Sequence, residues 1–353
     1  YKYRIYPNLE QVRFLSQTFG ATRFIYNKML YDKIQHFKAS GKSLMTTPAQ
    51  YKTEFPWLKE VDSLALANEQ LNLQKAYKNY FRDKSTGFPK YKSKKNNHHS
   101  YTTNNQKGTV SIENGLLKVP KLKSLIKIKQ HRLLHGSIRS VTISKMPTGK
   151  YYASVLVEEE ISPFLEVDTK IGVDVGIKEF AVLSTGEVID NPKWLRKSEK
   201  HLKKLQRDLS RKQNGSKNRA KTRLKLALLH ERIANQRKDF LHKLSTRLIS
   251  ENQAIAIEDL KVKIMLKNHK LAKSISEVSW SEFRSQLKYK SAWYGRSIII
   301  APSHYASSQL CSDCGYKNSL LKDLKHRHWE CPMCGVSHHR DVNAAKNLLK
   351  LIV

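Results

Sequence analysis

Cysteine is nearly absent from this chain: 353 residues hold four, all between positions 311 and 334. So few, so clustered, exclude a disulfide framework and fit a metal site in a reducing compartment. No apolar run reaches the ~20 residues that a bilayer-spanning helix needs, and no secretory signal is visible. The first residue is Tyr1 rather than Met, so the native start is expected to precede it. Acids are scarce as well. Thirty Asp and Glu stand against 65 Lys and Arg, a formal net charge of +35. Such an imbalance repels itself in a compact state and calls for a polyanion, with nucleic acid ahead of a membrane surface.

The few acids therefore stand out where apolar residues enclose them. Ile171-Gly172-Val173-Asp174-Val175-Gly176-Ile177 reads as a buried strand carrying one carboxylate, with glycines that let a backbone or ligand approach. Glu258 closes the apolar run Ala254–Ile257, which favours it over its neighbour Asp259. Asp341 follows the cysteine cluster in His338-His339-Arg340-Asp341-Val342-Asn343. A lone buried carboxylate costs several kcal/mol unless a partner or a metal meets it. Three of them, one per distant segment, would form a Mg²⁺ cage suited to phosphodiester hydrolysis. Gly-Val-Asp-Val-Gly also suits the phosphate loop of an actin- or sugar-kinase-type ATPase. That reading needs a second Asp-x-Gly loop and a Gly-Gly adenosine site, which the sequence lacks.

Cys311-x-x-Cys314 and Cys331-x-x-Cys334, sixteen residues apart, give four thiolates for tetrahedral Zn²⁺. Four thiolates leave no open position, so the ion is structural. Gly315 and Gly335 suit the knuckle turns; His338 and His339 could in principle replace a ligand but read as bland or as phosphate contacts.

Along the chain, residues 1–6 alternate as a strand. Asn8 is placed to cap a helix running to about 38, and Ala39-Ser40-Gly41 ends it. A second long helix starts at Asp62, with two apolar stripes. Residues 87–99 form a basic connector interleaved with aromatics. From about 100 to 160 the pattern is β, with a hairpin turn at Glu113-Asn114-Gly115. This predicts a small antiparallel barrel or sheet joined by the strand at 1–6. Residues 193–250 hold 19 Lys/Arg and 4 Asp/Glu, broken by Gln213–Ser216. They read as a basic helical hairpin with narrow seams at Leu205, Leu224, Leu228 and Ile233, gripping a nucleic-acid backbone through Lys203, Lys204, Arg207 and Arg211. Strands alternating with helices after the β segment indicate an α/β core.

Four ordered motifs then carry a resemblance: Ile171–Phe180, Ile257-Glu258-Asp259-Leu260, the Ser308–Gly315 knuckle and Arg340–Ala345. With Arg23–Asn27 and Gly87-Phe88-Pro89, they resemble TnpB proteins, the RNA-guided DNA endonucleases of insertion sequences related to type V CRISPR effectors. The likeness spans nearly the whole chain. It implies a multidomain α/β protein with a RuvC-like (RNase H fold) nuclease core and an inserted zinc ribbon. It also implies an N-terminal wedge-type β-barrel carrying a helical recognition insert. The expected boundaries are 1–8 and 95–166 for the barrel, 9–94 for the insert, 167–306 and 338–353 for the nuclease, and 307–337 for the ribbon. The triad falls on Asp174, Glu258 and Asp341, holding two Mg²⁺ about 4 Å apart, with Zn²⁺ in the ribbon. A guide RNA from the element's end and double-stranded target DNA are the implied partners. A short adjacent motif is read from the helix after Asp62, by Ser63, Leu64, Ala67 and Asn68. The resemblance places the protein in a prokaryotic cytoplasm, associated with the nucleoid. The rival readings are a non-catalytic RNA- or DNA-binding protein on the same fold, and a guide-independent transposition or junction nuclease.

Overall fold

The computed structural model describes residues 1–96, 99–323 and 325–352. Asn97 and His98 of the expected connector, Leu324 of the expected ribbon, and Val353 lie outside the described residues. The chain divides into two compact units, Tyr1–Glu160 and Ile161–Val353.

In the first unit, β1 (Lys2–Tyr6) leads into α1 (Leu9–Ser40). The Asn8 side chain accepts from Gln11 N at 2.9 Å, and Gln11 accepts from Asn8 N at 2.9 Å. This reciprocal box satisfies two orphan amides and stabilises the start by about 1 kcal/mol. Gly41, at φ 67°, ends the helix. A short α2 (Tyr51–Glu54) follows, and then α3 (Ser63–Arg82), capped by Asp62 through Leu64 N and Ala65 N. Along α3, Ala65, Leu66 and Leu73 are buried, whereas Tyr77 and Tyr80 are half-buried and Leu71 is 56% exposed.

Seven strands complete this unit. They are β1 with β2 (His99–Asn104), β3 (Ser111–Glu113), β4 (Leu116–Lys118), β5 (Ile126–Lys129), β6 (Ser137–Lys145) and β7 (Tyr151–Glu158). Their order is β2-β6-β7-β1-β5-β4-β3, so the first strand does join the later ones. The β3–β4 turn sits on Asn114 and Gly115, both at positive φ, as a two-residue hairpin requires. Among the described residues no pairing links the edges β2 and β3, so the ladder is open. Tyr3, Ile5, Tyr101, Val141, Ile143, Ala153 and Val155 fill its core at alternate positions.

The second unit is built on β8 (Lys170–Val175), β9 (Glu179–Leu183), β10 (Val188–Asp190), β11 (Ala254–Ile257) and β12 (Ser297–Ile300), ordered β10-β9-β8-β11-β12. β11 runs parallel to β8 and β12, and β9 antiparallel to β8 and β10. Between β10 and β11 stand α4 (Trp194–Arg211) and α5 (Lys217–Glu251), the expected basic hairpin. Leu205 and Ile233 are buried, but Leu224 and Leu228 are 44% and 41% exposed, so the seam is narrower than the pattern suggested. After β11 come α6 (Val262–Met265), α7 (Ala272–Val278) and α8 (Trp280–Tyr294). A hairpin of β13 (His328–Glu330) and β14 (Ser337–His339) leads to α9 (Arg340–Leu349).

Period-two alternation divides the work of the sheet. Ile171, Val173, Ile255 and Ile257 face a core closed by Leu241, Leu244 and Leu248 of α5 and by Phe283 and Leu287 of α8. The opposite face carries Gly172 and Ala256 and receives α9, with Ala344, Ala345 and Leu348 buried against it. A Cβ at Gly172 would lie 1.9 Å from Ala345 O and 2.7 Å from Leu349 N. Glycine is required there because the α9 backbone rests on that strand.

Candidate active site

The close contact at Gly172 is what assembles the acids. Asp174 lies two residues on, on the same face of β8. In the parallel register Ile257 pairs with Val173, so Glu258 stands beside Asp174 at the strand ends. Asp341 is the second residue of α9, the helix seated on Gly172. The three line one cleft of about 590 Å³, together with Arg327, Arg340, Lys178, Lys193 and Arg196.

Their charges are handled differently. Asp341 is held by Arg327 Nη1 at 2.6 Å and by Arg340 at 3.0 and 3.2 Å. Glu258 accepts a hydrogen bond from Ser307. Asp174 accepts none among the described residues. Burial, reinforced by the charges of Glu258 and Asp341, holds its carboxyl well above the usual range. Glu258 is raised by burial as well. The carboxylates share a cleft but are not drawn into a three-ligand cluster. Arg327 and Arg340 neutralise Asp341 within the cleft. Hard oxygen donors, one of them without a donor of its own, fit a divalent cation such as Mg²⁺.

The four cysteine sulfurs do close up, all within 4.8 Å of one another. Sγ atoms of Cys311 and Cys334 are 3.7 Å apart, and those of Cys314 and Cys331 3.5 Å. A tetrahedral ion with Zn–S of ~2.3 Å needs S···S edges of about 3.8 Å, so the donor set fits zinc. The knuckles share one hydrogen-bond pattern: Gly315 N to Cys311 O at 2.9 Å and Gly335 N to Cys331 O at 2.8 Å. Gly315 and Gly335 adopt φ 78° and 70°. His338 is no bystander. It is buried, stacks near Trp329, and places Nε2 3.1 Å from Cys311 Sγ.

Sequence reasoning missed the ties between this module and the acids. Asn343 Oδ1 accepts from Ser312 N at 2.7 Å, and Asn347 Nδ2 donates to Ser307 O and Leu310 O. One turn apart on α9, they fasten the first knuckle to the helix that bears Asp341. Arg327, between the knuckles, also escaped notice. Among 65 basic residues nothing in its context marks it.

The residues expected to meet nucleic acid divide. Lys204 and Arg207 line a groove of about 1100 Å³ between α4 and α5, with Lys197, Lys200, Lys225 and Arg232. Lys203 is not on that groove and pairs with Glu199 at 2.7 Å. Arg211 is exposed at the end of α4. Ser63 is exposed on the first turn of α3 and accepts from Lys52 Nζ at 2.7 Å. Leu64 and Ala67 are half-buried on the same turns. The Asn68 amide donates to Leu64 O and Thr102 O, tying α3 to β2.

A five-stranded sheet of order 3-2-1-4-5, with acids at adjacent strand ends and on a helix across them, defines a RuvC-like core within a multidomain α/β protein. Similarity to known proteins narrows this. Residues 154–269 match the OrfB_IS605 family, described as a probable transposase, and residues 280–348 match the Cas12f1-like TNB domain. Residues 1–42 match a helix-turn-helix domain, although here they form β1 and one continuous helix. A protein of Streptomyces pristinaespiralis, provisionally named an RNA-guided DNA endonuclease, is 42% identical over 360 residues, covering 99% of this chain and 88% of its own. InsQ of Escherichia coli K12, named in the same way, is 33% identical over 375 residues, covering 99% and 91%. The chain of a solved Cas12f1–sgRNA–target DNA complex shares the fold, at a TM-score of 0.62 and 16% identity, over 94% of this chain and 81% of that one. The chain belongs to the TnpB (OrfB_IS605) family. No helix among its described residues is long and apolar enough to cross a membrane.

Proposed function

We propose that the protein is an RNA-guided DNA endonuclease of a mobile element, cutting double-stranded DNA beside a short adjacent motif. The observation that carries the chemistry is the convergence of Asp174, Glu258 and Asp341 on one basic-rimmed cleft. Magnesium bound there would polarise a phosphoryl oxygen and lower the pKa of bound water. Asp174 offers oxygens that accept no hydrogen bond among the described residues. Arg327 and Arg340 neutralise Asp341, which with Asp174 and Glu258 would hold the cation. Lys178, Lys193 and Arg196 offer charge to the phosphates of the strand being cut. Sequence specificity resides in the guide, while the protein holds the heteroduplex by its backbone.

The finer assignments belong to the same reading. The α4–α5 groove holds guide or heteroduplex. The four cysteines hold a structural zinc that fixes the ribbon against α9. The seven-stranded sheet of the first unit is the wedge domain, and α1–α3 form its recognition insert. Ser63 reads the adjacent motif, with Asn68 anchoring the helix that presents it.

Sequencing RNA that co-purifies with the protein identifies the guide. With that guide and Mg²⁺, Asp174→Ala, Glu258→Gln and Asp341→Ala should each lower cleavage of matched DNA by about 10³-fold or more while retaining RNA and DNA binding. Full cleavage by any one variant removes that residue from the site. An inert wild type that still binds would favour the non-catalytic alternative.

A further inference from the structure

A second cavity, of about 610 Å³, opens in the first unit between the C-terminal halves of α1 and α3. Its walls include Phe37, Met45, Tyr77, Tyr80, Phe81 and Phe88. Phe37, Met45 and Phe81 are 60%, 78% and 72% exposed, a concentration of apolar surface that calls for a ligand. The rings are already ordered. Phe88 meets Tyr77 and Tyr80 edge-on at 5.6 and 5.4 Å, and Tyr77 stacks on Phe81 at 6.2 Å. The connector bearing Phe88 is pinned from the far side: Asn27 Nδ2 donates to Lys92 O at 2.9 Å, and Lys92 N to Asn27 Oδ1 at 2.7 Å.

Charge decides what kind of ligand fits. Residues 33–45 and 74–95, which supply the walls, contain eleven Lys and Arg and one acid, Asp83. Asp83 is committed to Ser85 N and Oγ. An aromatic cavity whose charged lining residues are the cations Lys33 and Lys38 suits a group with a flat apolar face and negative charge on both sides. We infer that it receives an unstacked base of single-stranded nucleic acid, with the flanking phosphates on the surrounding lysines. Paired bases present no free face, so the ligand is a single strand, loop or bulge. The inference rests on the nucleic-acid reading above and adds a site to it.

The test uses the full chain stripped of nucleic acid, in EDTA, with a ten-nucleotide RNA carrying a central 2-aminopurine. Wild type should bind it and quench its fluorescence, and should not quench the same strand annealed in a duplex. Phe81→Ala and Phe88→Ala should weaken binding by about 5- to 100-fold at every salt concentration and abolish quenching. Because a base contact releases no counterion, their log–log salt slope should equal that of wild type. Lys38→Gln should instead reduce the slope by about 0.7. Phe81→Leu, which keeps apolar volume without a ring, should behave as Phe81→Ala and guards against a folding defect, which a thermal melt checks. Unchanged binding by both Phe81 variants overturns the inference, as does a lost slope without lost quenching. A wild-type dimer that Phe81→Ala dissociates also overturns it, assigning the patch to a second copy. Failure of wild type to bind any strand overturns the RNA-guided reading as well. Normal binding by a cleavage-dead Asp174→Ala chain leaves the inference standing whatever becomes of the catalytic assignment.

Discussion

Gly172→Ala tests whether the contact between β8 and α9 sets the acid geometry. The added methyl would lie 1.9 Å from Ala345 O. A carbon and an oxygen rest at about 3.3 Å or more, so α9 must retreat by roughly 1.4 Å. Overpacking costs ~1–3 kcal/mol, and the upper end applies because the opposing atoms are helix backbone. At ~2–4 °C per kcal/mol for a unit of this size, the second unit should melt about 6–12 °C lower. The same retreat carries Asp341 away from Asp174, and a displacement of ~1 Å costs on the order of 10²-fold in rate. Calorimetry reads the first effect, and cleavage of guide-matched DNA well below the melting temperature reads the second. Gly20→Ala is the control. It lies within α1 with nothing within 4 Å of the new Cβ, and a helical alanine there should gain ~0.5–1 kcal/mol. If Gly172→Ala melts and cuts as wild type does, the close approach of α9 does not set the site.

Asp174→Asn probes the same cleft through pH. The native carboxyl is raised by burial and by its acidic neighbours, whereas an unfolded Asp ionises near ~3.9. Metal-free stability is therefore fully present below about pH 4 and is lost as pH rises through the folded value. In EDTA, Asp174→Asn should melt above wild type at pH 7 and level with it near pH 4, and equal melting at both rejects the charge conflict. Freshly purified protein should carry one zinc per chain by elemental analysis, and Cys331→Ser should lose it together with local folding; absence of zinc from wild type sinks the ribbon assignment. Changing Lys200, Lys204, Arg207 and Lys225 together to Gln should lower the salt slope of RNA binding by roughly three to four units. Lys203→Gln alone should leave it nearly unchanged because Lys203 is already paired, and an unmoved slope in the quadruple variant moves the RNA off the groove.

What the sequence determined by itself is what short range decides. Asn8 and Gln11 cap α1 because both partners lie within one turn, and Asn114-Gly115 turns the hairpin because few residues tolerate positive φ. The cysteine spacing dictates a four-sulfur cluster for the same reason. Asp174 and Glu258 were legible because an acid that closes an apolar run is costly without a purpose. Other features arise from juxtaposition and leave no local mark. Gly172 is forced by a helix some 170 residues away, and Arg327 differs from the other basic residues only in the carboxylate it reaches. Asn68 looked free to read a ligand, yet tertiary packing spends its amide on Thr102. Lys203 and Lys204 are adjacent in sequence, but helix phase sends only Lys204 to the groove. The aromatic cavity draws its walls from two helices and two loops, none of which is a pocket alone. Composition and spacing set the chemistry available to this chain, and the close seating of α9 on Gly172 of β8 decided where that chemistry gathers.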